Sequence, residues 1–215
     1  MRFLRRCAGT ASYLVFLLGT HVIVFRVLSA DDRRRVLEAI STNLADMTNW
    51  TAPFRLVASA LVVDTSGVVL DQILIIGLGI AVCLSWLEYR LGTLRAFGIF
   101  ATAHVLATLL VLGVVAYAVH AGHYPDEVRH DPDYGVSFGS IGAIGAVTWL
   151  LHKWLRIPWA AVAVLYPLTA ATWYGRLPDY SSVGHVLSGA IGVALSVLVV
   201  RKARADRAAP DVTRP

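Results

Sequence analysis

Apolar residues run in long blocks along this chain, and the polar residues between them fall in short clusters. Six blocks approach the roughly 20 mostly apolar residues that a membrane-spanning helix needs. They cover about 10 to 28, 68 to 87, 96 to 118, 136 to 151, 158 to 174 and 183 to 200. The pattern predicts an all-α membrane protein with six transmembrane helices. The first block follows Arg2, Arg5 and Arg6 as a signal peptide would, but it lacks a small-residue cleavage site and ends in Phe25, Arg26, Val27 and Leu28. A retained helix is expected there.

Residues 29 to 67 join the first two helices. Val36, Leu37, Ile40 and Leu44 recur at helical spacing, and Trp50, Phe54, Leu56 and Leu61 add bulk. The stretch is expected to hold a short amphipathic helix and a partly embedded loop, extracytoplasmic or interfacial, anchored by Trp50 and Arg55. The third and fourth helices are joined by "HAGHYPDEVRHDPDY", polar and rich in His and Asp, which is expected outside. Residues 1 to 9 read as a cytoplasmic N-terminus, 10 to 200 as the membrane domain and 201 to 215 as a basic cytoplasmic tail.

Composition agrees with this division, since 57% of the 215 residues are apolar and 15% charged, leaving no room for a large soluble domain. With the N-terminus cytoplasmic, the larger share of the 19 Lys and Arg falls inside, at Arg2, Arg5, Arg6, Arg90, Arg95, Lys153, Arg156 and the tail. Both termini are therefore expected in the cytoplasm, in a multi-pass protein of a bacterial plasma membrane. The net charge of +5 reads as topology and attraction to anionic lipid, and nothing in its pattern points to nucleic acid. Cys7 and Cys83 both fall near the cytoplasmic side, so no extracytoplasmic disulfide is implied.

The fourth and sixth predicted helices run in the same direction, and each carries a polar residue near its outer end. These are Ser137, in "DYGVSFGSIGAIGA", and His185, in "GHVLSGAIG". Gly139, Gly142 and Gly145 form a small-residue ridge on one helix, and Gly184, Ser188 and Gly192, with Gly189 alongside, form one on the other. Such faces permit a close approach. A serine then has a base of suitable pKa in reach, and the unpaired N–H groups of a helix start stand ready for an oxyanion. The alternative is that Ser137 packs between helices and His185 ends a helix at the interface; spacing alone favours this plainer reading.

These residues resemble the rhomboid family of intramembrane serine proteases. Rhomboids open their fourth core helix with G-x-S-G and carry a histidine with a glycine four residues later in the sixth. Here Gly135, Ser137, Gly142, Gly145 and Ala146 match the first motif, and His185 and Gly189 the second. Glu88 and Gly92, in "LEYRLGTLRAF", resemble the family's E-x-x-x-G junction after the second helix. The resemblance covers about residues 10 to 200, is of the divergent, actinobacterial type, and implies a six-helix rhomboid-like bundle with Ser137 as nucleophile and His185 as general base.

Departures accompany the matches. Phe138 replaces the glycine after the serine and is expected to put bulk where the family keeps backbone free for the oxyanion. Ile141 replaces an aromatic, and Gln72 and Ile76 stand where the family's second helix carries a histidine and an asparagine. Gln72 and the Phe138 backbone N–H remain as oxyanion donors. Two activities follow: a divergent protease cutting transmembrane helices through a Ser/His dyad, or a pseudoprotease that binds transmembrane clients without cutting them. No cofactor is called for, and the partners implied are lipid and membrane-spanning proteins.

Asp71, beside Gln72, either lines the same cavity as Ser137 or is solvated at the helix start. His120, His123 and His130 with Asp126, Glu127, Asp131 and Asp133 have metal-site chemistry but no specific zinc spacing, and a polar loop explains them as well. His104 and His21 are expected to make interhelical hydrogen bonds. Glu88 is expected to fix the turn between the second and third helices.

Overall fold

The structure, a computed structural model, describes residues 5–47, 50–63 and 69–208. Arg2, residues 48, 49 and 64–67 of the long loop, residue 68 at the expected start of the second helix, and 209–215 of the expected tail lie outside the described residues. Helix α1 (Ala8–Val22) continues through wider π-type turns at Ile23–Val27. Two short helices follow, α2 (Ala30–Ile40) and α3 (Ala52–Ala58). Helix α4 (Val69–Leu91) has π-type winding over Ile73–Leu84, and α5 covers Thr93–His120. Then come α6 (Ser137–Val147), α7 (Lys153–Leu165), a hairpin of β1 (Trp173–Tyr174) and β2 (Leu177–Pro178), and α8 (Tyr180–Ala208).

Among the described residues, four helices are long and apolar enough to cross a membrane: Ala8–Val27, Val69–Leu91, Thr93–His120 and Tyr180–Val199. Ser137–Leu150 is apolar but shorter. The apolar block expected as a helix over 158 to 174 is divided differently. Helix α7 starts earlier, at Lys153, and gives way after Leu165 to tight turns over Tyr166–Ala170. Pro167 has no N–H to donate to the preceding turn, and Gly175 at φ +65° lets the chain reverse into the hairpin.

Helix α6 is buried on every side from Phe138 to Val147, which is possible because its glycines admit its neighbours. A Cβ at Gly139 would run into the ring of Phe100, one at Gly142 into Ala103, and one at Gly145 into the carbonyl of Gly189. From α8, a Cβ at Gly192 would meet the carbonyl of Gly142. Hydroxyl groups lock these contacts. Ser188 Oγ donates to the Phe138 carbonyl, and Ser140 Oγ donates to the Ile75 carbonyl of α4 at 2.5 Å. Trp159 Nε1 of α7 donates to the Ile144 carbonyl at 2.8 Å.

At the far end of α4 from Asp71, Glu88 is 2% exposed, yet its carboxylate is fully satisfied. Oε1 accepts from Gly9 N–H (3.0 Å) and Thr93 Oγ1 (2.7 Å), and Oε2 from Thr10 N–H (2.8 Å) and Thr10 Oγ1 (2.6 Å). A carboxylate placed on the free N–H groups of a helix start complements the helix dipole. Glu88 therefore does more than fix a turn: it ties α1 to the α4–α5 corner, where Gly92 at φ +86° reverses the chain in one residue.

Candidate functional site

The segment that delivers Ser137 is held by backbone pairing with the first long connection. Thr42 N–H donates to the Asp133 carbonyl (2.7 Å) and Asp133 N–H to the Thr42 carbonyl (2.8 Å). Gly135 N–H donates to the Ser59 carbonyl (2.9 Å) and Val136 N–H to the Val62 carbonyl (3.1 Å). Gly135 sits at φ +131°, a conformation that only glycine adopts without strain. Ser137 then opens α6. The helix bonding begins with Ser140 N–H on the Val136 carbonyl at 3.0 Å, so the N–H groups of Ser137, Phe138 and Gly139 precede it without intrahelical partners.

Helix α8 brings His185 to the same level. Its start is capped by Asp179, whose carboxylate accepts from Ser182 N–H, Ser182 Oγ and Thr172 N–H, each at 2.9 Å. Ser137, His185, Asp71 and Gln72 line one cavity of about 580 Å³. Tyr134, Tyr166 and Tyr180 add to its polar wall, as do Asp133 and Asp179, and Ile75 and Ile141 supply apolar surface. The Nε2 of His185 is buried with no hydrogen-bond partner among the described residues, and no hydrogen bond joins it to Ser137.

A family model described as rhomboid-like protein matches residues 2–205. The chain belongs to the rhomboid-like proteins. The match includes both the Ser137–His185 cavity and the Glu88 end of the bundle. No curated protein and no solved structure matched the chain.

In this rhomboid-like protein the side chain of Phe138 does not occupy the space beside the serine, contrary to the expectation from its bulk. It is 2% exposed and turned away from the cavity, into a cluster with Ala107, Val111 and Val115 of α5. Gly184 makes the room: a Cβ there would overlap the ring. The ring lies between His104, centroids 6.2 Å apart, and His185, at 5.3 Å. Ile76 lies outside the cavity lining and packs, partly buried, on the core between α4, α5 and α6.

His104 hydrogen-bonds through Nε2 to Ser59 Oγ at 3.0 Å, tying α5 to the turn after α3. His21 departs from expectation: it stacks on Phe25 at 5.0 Å, and its buried Nδ1 has no partner among the described residues. Arg55 anchors the long connection inward, donating to the Glu38 carbonyl (2.9 Å), the Ser41 carbonyl (3.0 Å) and Asp46 (3.2 Å), while Trp50 is exposed. His120, His123 and His130 are all exposed, and no three His, Cys, Asp or Glu side chains converge on a metal position among the described residues.

Sequence reasoning passed over Asp179, Ser59 and the cavity tyrosines. The spacing of Asp179 and Ser182 before an apolar run is a helix-start signal. Nothing local marks Ser59, whose partners lie 45 and 76 residues away in the chain.

Proposed function

We propose that this rhomboid-like protein is an intramembrane serine protease of a bacterial plasma membrane, with both termini cytoplasmic. In this reading α6 and α7 complete a six-helix core. A run of the length of Ser137–Leu150 rises roughly 21 Å, less than the roughly 30 Å of hydrocarbon, so its start lies below the outer surface. That depth suits attack on a membrane-spanning helix whose outer end unwinds.

Ser137 Oγ bonds to the scissile carbonyl carbon while His185 takes the hydroxyl proton. His185 returns it to the leaving amine as the C–N bond breaks, leaving an acyl-serine. Water, deprotonated by the same imidazole, then hydrolyses the ester and frees Ser137. The N–H groups of Ser137 and Phe138 and the Gln72 amide are the oxyanion donors, each of a kind worth about a hundredfold in rate. The observation that carries this reading is the shared cavity of Ser137, His185 and Gln72 above an unpaired helix start.

A second reading, client binding without cleavage, draws on the unpartnered Nε2 of His185 and on Ile76, which has no hydrogen bond to offer. Labelling by a fluorophosphonate separates the two. Labelling at Ser137 that is lost in both Ser137→Ala and His185→Ala supports the protease; a folded wild type that labels no better than Ser137→Ala supports client binding.

A further inference from the structure

The cavity wall is charged in one sense. Asp71, Asp133 and Asp179 line it, and among the described lining residues there is no Lys or Arg. Four basic residues of the long connection and of the loop after α5 are paired with other carboxylates. Arg55 pairs with Asp46 at 3.2 Å and Arg129 with Asp126 at 2.6 Å, while Arg34 and Arg35 pair with carboxylates of their own helix. Arg176, at the hairpin turn, is exposed and outside the lining.

The three carboxylates are not equivalent. Asp179 is occupied as the cap of α8, and Asp133 carries a further interaction besides its backbone pairing with Thr42. Asp71, one residue before Gln72 in the first turn of α4, makes no hydrogen bond or ion pair with a described residue. Asp71 and Asp179 both act electrostatically on His185, and Asp133, Asp131 and Asp179 on Tyr180, which marks this as a region of shared negative potential. The Nε2 of His185, a residue of the same wall, is itself buried, so what the cavity presents to whatever fills it is negative charge.

We propose that this cavity selects membrane-spanning clients carrying a lysine or arginine immediately outside the helix, with Asp71 as the residue that reads the charge. The inference rests on the client-site reading of the cavity but not on cleavage. Carboxylates in a concave wall beside low-dielectric surroundings focus their field on the opening. A cationic flank is drawn in, and an acidic flank is opposed by like charge.

The test uses the full chain with Ser137→Ala in nanodiscs of zwitterionic lipid, with a photo-crosslinking residue at the cavity-lining position Tyr166. The probes are three single-span model peptides identical except for Arg, Gln or Glu just outside the outer end. The expected order of capture is Arg, Gln, Glu, with about tenfold between the first and last at low salt, narrowing as salt rises. Asp71→Asn is expected to shrink the Arg-to-Glu ratio to about threefold and Asp71→Lys to invert it.

Equal capture of the Arg and Glu peptides, or capture of none above an unrelated span, overturns the proposal. So does an unchanged ratio in folded Asp71→Lys; if that variant does not fold, the peptide comparison on the Asp71 chain decides. A charge preference in a chain that fails fluorophosphonate labelling leaves this selection standing and removes the protease.

Discussion

Phe138 meets His185 edge to face, with centroids 5.3 Å apart and ring planes at 81°. The two rings thereby brace each other in a T-shaped contact, for which Gly184 makes the room. A residue that looks in sequence like an obstruction packs against His185 instead. Phe138→Ala is therefore expected to lower stability by about 3 to 5 kcal/mol, read as a fall in thermal midpoint in detergent. Fluorophosphonate labelling of Ser137 should fall with it. A rise in labelling would mean that the ring hinders the site.

Glu88→Gln tests the opposite end. The amide keeps one acceptor but brings an NH2 toward donors that already point at the carboxylate, so at least one pair of donors loses its partner. The expected cost is about 2 to 3 kcal/mol. The measurement is thermal unfolding followed by proteolysis near the start of α1, which should become accessible before α5 and α6 do.

Ser59→Ala removes the partner of His104 Nε2 and leaves a buried nitrogen unsatisfied, at about 1 to 3 kcal/mol. Because the Ser59 carbonyl also accepts from Gly135 N–H, the loosening should reach the segment before the serine. Amide exchange at Gly135 and Val136 is expected to accelerate while that of mid-α5 stays slow; uniform acceleration would refute the link.

Tyr124 provides a pH test outside the spanning helices. Its hydroxyl donates to the Pro178 carbonyl, fixing the hairpin to the connection after α5. Burial first, then the charges of Asp179 and Tyr174, pushes its phenol above the usual value of 10.0. A raised folded pKa favours the protonated form, so this stabilisation is full below about pH 10 and is lost as pH rises through the folded value. The difference in phenolate absorbance between the wild type and Tyr124→Phe should titrate above pH 10, and the variant should lose part of the stability present below pH 10.

The long apolar runs of α1, α4, α5 and α8 were legible because spanning helices announce themselves by length and hydropathy. The glycine faces of α6 and α8 were legible too, because small residues spaced along a helix have few other uses in a membrane. Three features were hidden. The end of α7 turned on Pro167, in an apolar block whose other proline, Pro158, lies inside the helix. The direction of the Phe138 ring depended on Gly184, 46 residues on, leaving a hole for it. The pairing of Thr42 with Asp133 spans 91 residues and leaves no periodic trace. Ser137 and His185 could be nominated from sequence, but the wall they share with Asp71 and Gln72 is set by helix starts whose relative depth only the folded chain defines.

The backbone pairing of residues 133–136 with the connection before α4 also governs when the site can exist. During synthesis Ser137 emerges after the connection that will hold it but well before His185, 48 residues further on. Contacts separated by so much chain close late. A nascent or truncated product ending before Asp179 would keep the cradle for Ser137 yet expose Phe138 and the glycine face of α6, a surface with no partner. Such a product lacks the wall that α8 gives the cavity, and the groove that α8 fills along the α6 glycines stands open.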